Sequence, residues 1–175
     1  MNAPFVVPIA ELRRQIGKRM QVTRSGQIED LACSGSEVPQ GAECEADVVL
    51  ESVLGGVSVE GAVTAPWVGE CRRCLAPAAG RLRIRVRELY TPGGDSEETY
   101  PLVGTDLDLE PLVRDAVLLD LPQALLCRDD CAGLCPLCGA DRNERACGCE
   151  PQRDPRWEGL DSLLEMGVEG PPRSN

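Results

Sequence analysis

The cysteines set the terms for this fold. Six of the ten fall between Cys127 and Cys149, in the run C-R-D-D-C-A-G-L-C-P-L-C-G-A-D-R-N-E-R-A-C-G-C. Thiolates are soft ligands, and zinc takes four of them in a tetrahedron. Cys135-Pro136-Leu137-Cys138 is a tight C-x-x-C turn that lets two sulfurs face one ion. Gly139 behind it is free to adopt the positive φ that turns the chain back. Cys127, Cys131, Cys135 and Cys138 are also spaced as one face of a helix, but Gly133 and Pro136 argue against a helix there. The spacing favours metal ligation over core thiols or disulfides.

The chain has no histidine. A histidine general base, a Ser-His-Asp triad and a Cys-His dyad are therefore excluded, and a zinc site must be built from cysteine, with or without carboxylates. All-cysteine sites are closed and structural, with no open position for a substrate. We assign Cys135, Cys138, Cys147 and Cys149 to one zinc, although Cys147-Gly148-Cys149 is a tighter pair than usual. Cys71-Arg72-Arg73-Cys74 is a second C-x-x-C, and with Cys127 and Cys131 it completes a second set of four. Either these meet at a second zinc, joining the strand region to the end of a helix, or they remain buried thiols or alternative ligands of the first site. Cys33 and Cys44 have no neighbour at ligand spacing and are read as free thiols. Met1 to Ala10 carries no positive side chain ahead of its short apolar run, and no stretch approaches the ~20 apolar residues of a membrane span. A reducing, cytoplasmic setting is expected, where thiols and metal thiolates persist, and no membrane partner.

Aromatic residues make up only 3% of the chain, so the core must be Val, Leu, Ile and Ala. Ile9, Leu12 and Ile16 recur at helical spacing behind Pro8 and predict a short amphipathic helix ending near Gly17. Residues 25–45 read as a loop, with a strand around Ile28 to Leu31. Asp47 to Val53 and Val57 to Val63 alternate as two strands around a Gly55-Gly56 turn. Gly80 to Tyr90 is the clearest strand. A helix is predicted from Asp108 or Leu109 to Leu121-Pro122, with Asp108 among the candidate caps and Leu112, Val113 and Val117 on its apolar stripe. Asp154-Pro155 opens a last short helix carrying Trp157, Leu160, Leu163 and Leu164. The expected fold class is α+β: a mainly antiparallel sheet with a few short helices and a C-terminal, zinc-stapled cysteine-rich segment. We place an α+β domain over 1–125, the metal-binding segment and C-terminal helix over 126–165, and a disordered tail over 166–175.

Net charge is −11, which by itself counts against a nucleic-acid partner. The charge is polarised, however. Residues 11–24 carry Arg13, Arg14, Lys18, Arg19 and Arg24 against Glu11 alone. Residues 72–87 carry Arg72, Arg73, Arg81, Arg83, Arg85 and Arg87 and no acid. Strand alternation sets Leu82, Ile84 and Val86 on the core side and Arg81, Arg83, Arg85 and Arg87 together on the other. Four like charges on one face need compensation. Either Glu51 and Glu60 on neighbouring strands supply it, or a phosphate backbone does.

The ordered combination of Asp108-Leu109-Glu110-Pro111-Leu112-Val113-Arg114-Asp115, Leu119-Asp120-Leu121-Pro122, Leu126-Cys127, Cys131-Ala132-Gly133-Leu134-Cys135-Pro136-Leu137-Cys138-Gly139 and Asp154-Pro155-Arg156-Trp157 resembles the YceD family. These are the bacterial large-ribosomal-subunit rRNA accumulation proteins. Cys71-Arg72-Arg73-Cys74-Leu75 resembles the family's earlier C-x-x-C-L. The N-terminal 45 residues add little to the likeness. The resemblance implies a small cytoplasmic, non-enzymatic factor needed for 23S rRNA to accumulate, with 23S rRNA or a pre-50S particle as partner. The residues agree where they speak: no catalytic constellation, no Walker motif and no dinucleotide fingerprint is present. The acidic surface suits a basic ribosomal protein, and the arginines suit rRNA. The competing reading is a zinc-ribbon adaptor or a thiol redox sensor, in which C-x-x-C pairs cycle between dithiol and disulfide.

Overall fold

The computed structural model describes residues 4–94, 98–150 and Arg156. The chain divides into two compact units, Met1–Cys131 and Ala132–Asn175. The cysteine-rich segment expected from residue 126 is thereby split, and Cys127 and Cys131 go with the sheet.

The first unit is built on a long antiparallel meander. β4 (Glu43–Val53) buries Cys44, Ala46, Val48, Leu50 and Ser52 on alternate positions. Leu54-Gly55 turns the chain, with Gly55 at φ 87°, into β5 (Gly56–Glu70). β5 buries Val57, Val59, Val63 and Ala65. It pairs with β6 (Pro77–Thr91) from Val57↔Tyr90 to Glu70↔Pro77, so the first C-x-x-C forms the turn at the end of the longest strand pair. Period-two burial is what a sheet with one wet face demands.

On the far side of β4 lies β2 (Arg19–Gln27), in register from Arg19↔Glu51 to Gln27↔Glu43. The short β3 (Ser36–Glu37) pairs with β5 at Gly69 and Val68. At the other end β7 (Tyr100–Pro101) runs parallel to β6, which makes the sheet mixed rather than purely antiparallel. A separate ribbon joins β1 (Val6–Pro8) to β8 (Asp106–Asp108). α1 (Glu110–Asp120) follows. The N-cap residue, Leu109, has no side-chain cap, and the Asp108 carboxylate before it accepts the Glu110 N–H at 2.9 Å. Leu112, Val113 and Val117 are buried, and α1 packs against β5 and β6. Leu121, with ψ at 126°, and Pro122 stop it. Tyr90, fully buried, stacks on Tyr100 at 5.1 Å and gives its hydroxyl proton to the Asp108 carbonyl at 3.0 Å.

Three expectations need correction. α1 is the only α-helix among the described residues, not one of several. The helix predicted over Ile9–Ile16 is a series of turns with one helical bond, Arg13 N–H to Ile9 C=O at 3.0 Å. Val6–Pro8 is spent in β1, Gly17 at φ 82° donates to the Ser52 carbonyl, and what lies between is too short to nucleate a helix. Ile9 and Leu12 are buried nonetheless, and Ile16 is exposed. The strand predicted at Ile28–Leu31 is a loop, with Asp30 at φ 59°, because pairing with β4 has already ended at Gln27. The helix predicted from Asp154-Pro155 and the tail over 166–175 lie outside the described residues, apart from Arg156.

Candidate metal centres and the arginine face

Two groups of four cysteines come together, and in each the sulfurs all lie within 4.8 Å of one another. One is Cys71, Cys74, Cys127 and Cys131; the other is Cys135, Cys138, Cys147 and Cys149. Both could hold a metal ion. None of the ten cysteines is in a disulfide.

The first centre belongs to the sheet unit. The turn from β5 to β6 is closed by Cys71 N–H to Ala76 C=O at 2.8 Å and Leu75 N–H to Cys71 C=O at 2.8 Å. After α1 the chain returns to this turn. Arg72 N–H donates to the Leu125 carbonyl at 2.9 Å, and the Arg73 guanidinium donates to the Cys131 carbonyl at 2.8 Å. Cys71 Sγ then lies 3.7 Å from Cys131 Sγ, and Cys74 Sγ 3.6 Å from Cys127 Sγ. A disulfide needs ~2.05 Å. A tetrahedron with ~2.3 Å zinc–sulfur bonds has edges of ~3.8 Å between sulfurs. The spacing fits a tetrahedral thiolate-bound ion and does not fit a bond between the sulfurs. Cys71, Cys74 and Cys131 are buried, and Cys127 is exposed.

The second centre lies wholly within Ala132–Asn175 and repeats the same turn. Cys135 N–H donates to the Ala140 carbonyl at 2.8 Å, and Gly139 N–H to the Cys135 carbonyl at 2.9 Å. The chain is held around it by Arg142 N–H to Gly133 C=O at 2.9 Å and by Asn143, whose side-chain oxygen accepts the Ala132 N–H at 2.8 Å. Cys135 is buried, Cys138 exposed, and Cys147 and Cys149 half-buried.

The two turns read C-x-x-C-L-A and C-x-x-C-G-A, and their fifth residues share one backbone state: Leu75 at φ 62° and Gly139 at φ 71°. A side chain in that state costs ~1–2 kcal/mol. Gly139→Val should therefore destabilise the second unit by ~1–2 kcal/mol. Leu75 is largely exposed. Leu75→Gly trades that strain for unfolded-chain entropy and should change stability by less than ~0.5 kcal/mol. Chemical denaturation of the metal-loaded protein measures both.

Crowded thiols cannot all ionise without a cation. Burial opposes ionisation of Cys71, but the amides of Cys127, Arg73 and Cys74 outweigh it and bring the thiol down to about 6. The amides of Cys138 and Leu137, with the Cys147 thiol, bring Cys135 to about 6. In compensation Cys127, hydrogen-bonded to the Cys74 thiol and desolvated, is pushed up to about 12, and Cys149, facing Cys138 and Cys135, also to about 12. A metal must displace at least the high-pKa proton of each group. Binding then favours the deprotonated state, so affinity is greatest at high pH and is lost as pH falls towards the lower values near 6. Competition with a chromophoric chelator between about pH 8 and pH 5 should show it falling steeply.

Cys33 and Cys44 lie outside both groups. Cys44 is fully buried on β4, where desolvation raises its pKa, and Cys33 is half-buried beside the Ser36 hydroxyl at 3.5 Å.

The arginines of β6 are placed as alternation requires. Arg81, Arg83, Arg85 and Arg87 are all exposed, and Leu82 and Val86 are buried between them. Glu51 does not compensate them: it pairs across β2–β4 with Arg19, at 2.6 Å. Glu60 is directly opposite Arg87, and yet none of the four arginines forms an ion pair or side-chain hydrogen bond among the described residues. Ala62 and Thr64 stand opposite Arg85 and Arg83. Arg72 and Arg73 lie in the turn beyond this column, both exposed, and Arg73 is committed to the Cys131 carbonyl. That tie was not foreseen from the sequence, where all six arginines read alike. The strained Leu75 was missed as well; aligning the two C-x-x-C-[L/G]-A segments is the signal that finds it.

No helix among the described residues is long and apolar enough to cross a membrane. Residues 59–164 match the family described as large ribosomal RNA subunit accumulation protein YceD. An uncharacterized protein of Mycobacterium tuberculosis is 38% identical over 172 residues, covering 93% of this chain and 82% of its own. One of Mycobacterium leprae is 33% identical over 176 residues, covering 95% and 80%. The chloroplastic large ribosomal RNA subunit accumulation protein YCED homolog 1 of Arabidopsis thaliana is 31% identical over 68 residues, covering 38% of this chain and 21% of that protein. No solved structure matches.

Proposed function

The chain belongs to the YceD family, and from that premise we propose that it is a non-enzymatic cytoplasmic factor supporting 23S rRNA accumulation and large-subunit assembly. Arg81, Arg83, Arg85 and Arg87 contact rRNA phosphates, with Arg72 beside them, on free 23S rRNA or a pre-50S particle. The observation that carries this is the column of four arginines without an ion pair among the described residues of an otherwise acidic chain. Successive members of the column are ~6.5–7 Å apart, of the order of phosphate spacing along an RNA strand. The guanidinium fork grips phosphate bidentately without reading a base. The face presents no aromatic ring among the described residues. Phe5 and Tyr90 are buried, Trp67 packs with the core over Gly80, and Tyr100 stacks on Tyr90. Recognition therefore rests on charge and shape, not on base stacking.

Zinc fills both four-cysteine centres in this reading, and its role is structural: no open ligand position is left for a substrate. The zinc ties the β5–β6 turn to the segment after α1 and so fixes the base of the arginine strand. Co-purification from cells at moderate salt, with and without nuclease, tests the proposal. Recovery of 23S rRNA that nuclease abolishes is expected. Ribosomal proteins retained after nuclease, with no 23S rRNA recovered in its absence, would refute direct RNA contact.

A further inference from the structure

The main sheet is left open along one edge. β7 pairs with β6 only at Tyr90 and Thr91. From Arg81 to Arg87 the second edge of β6 has no strand partner among the described residues. That edge is roughly 23 Å long at ~3.3 Å per residue. α1 packs against β6, and a groove of about 210 Å³ lies there, floored by Ile84, Val86, Leu112 and Ala116. The core face is incompletely covered at this point. Val59 and Val63 on β5 are fully buried, but Ile84 on the same face of β6 is only half-buried, and Leu119 of α1 is 86% exposed. Three carboxylates, Glu88, Asp115 and Asp120, line the groove with Arg85; none is ion-paired among the described residues, and Asp115 accepts the Tyr100 hydroxyl at 2.9 Å.

We propose that this edge and groove accept an extended segment of a basic partner protein as an added β-strand. An unpaired strand edge offers a row of main-chain donors and acceptors that another chain completes. Its side chains would alternate between two unlike environments. Those turned inward meet the apolar floor and the three carboxylates, so they are small apolar residues and lysine or arginine. Those turned outward lie beside Arg83 and Arg85, so they are small or acidic. Glu88 sits on the core face of the edge strand, where it repels a purely apolar strand and accepts a cation. The same carboxylates repel phosphate, which assigns the groove to protein and leaves the opposite arginine face to RNA. The inference stands on the edge and the groove, and does not require that the arginines bind RNA.

The probe is a fluorescein-labelled synthetic peptide in which threonine alternates with lysine and valine. It should bind the zinc-loaded full chain in a fluorescence anisotropy titration and slow amide hydrogen exchange across Arg81–Arg87. Replacing its lysines with glutamate, or N-methylating alternate backbone amides, should abolish binding. Glu88→Lys with Asp120→Lys should weaken it by about tenfold, since two attractions become two repulsions. An unchanged unfolding transition of the sheet unit, with unchanged zinc content, shows that this variant is folded. Absence of peptide binding overturns the proposal, as does equal binding of the glutamate or N-methylated peptide. Protection of the same amides by an RNA duplex and not by the peptide would give the edge to nucleic acid and also overturn it.

Discussion

If zinc fills both four-cysteine centres as proposed, changing Cys71 and Cys131 together to serine should lower the zinc content from two ions to one and destabilise the sheet unit by roughly 4 kcal/mol. The magnitude follows from topology. The centre joins residues 53 to 60 positions apart in sequence, Cys74 to Cys127 and Cys71 to Cys131. Releasing a cross-link around a loop of that length restores ~4 kcal/mol of unfolded-chain entropy. For a unit of this size that is a fall in Tm of about 10 °C or more. The loss is bounded because the sheet keeps its own core of Val48, Leu50, Val57, Val59, Val63 and the α1 stripe. Small zinc modules without such a core unfold outright when the metal is removed. Cys138→Ser acts on the other centre, whose four ligands all lie within Ala132–Asn175. It should also cost one zinc while leaving the main unfolding transition of the sheet in place. Metal analysis with calorimetry separates the two cases. Full zinc content in the Cys71→Ser/Cys131→Ser protein would show that the first group does not bind metal.

Changing Arg83 and Arg85 together to glutamate should reduce affinity for rRNA by on the order of a hundredfold at low salt. On the proposed function, two phosphate contacts would be lost and two repulsions introduced at the centre of the column. The dependence of log K on log salt should become shallower by about two contacts' worth, whatever the RNA sequence. The substitutions are exposed, and their cross-strand neighbours are Thr64 and Ala62, so the fold has no ion pair to lose. Arg73→Ala behaves differently. Its guanidinium holds the Cys131 carbonyl, so it should weaken zinc retention at the first centre more than RNA binding.

Much of this architecture is legible in the sequence. Stretches of alternating residues, as within β4, β5 and β6, announce strands, because one face is buried and the other wet. α1 announces itself through Pro111 in its first turn and Pro122 after its end. The hidden elements are those whose order comes from elsewhere in the chain. β2 has only Val22 and Gly26 buried along nine residues, and exists because β4 offers it an edge. Ile9 and Leu12 show helical spacing but are buried by turns, since spacing records which residues face the core and not which hydrogen bonds deliver them there. The two sets of four cysteines could be proposed from the sequence, but for Cys71, Cys74, Cys127 and Cys131 a shared site was only one of the alternatives it left open. Nothing local says that the β5–β6 turn meets the segment after α1. The open edge of β6 has no sequence signal either, because an edge is defined by the strand that is not beside it.

In the proposed function the arginine face, held by a metal-stapled sheet, is what supports 23S rRNA accumulation. The most direct test is the ratio of 23S to 16S rRNA in cells whose only copy of this protein carries Arg83→Glu and Arg85→Glu, with the purified variant shown to retain both zinc ions and its unfolding transition. The ratio should fall towards that of cells lacking the protein. A ratio indistinguishable from that of the unaltered protein would show that the arginine face is not what supports 23S rRNA accumulation.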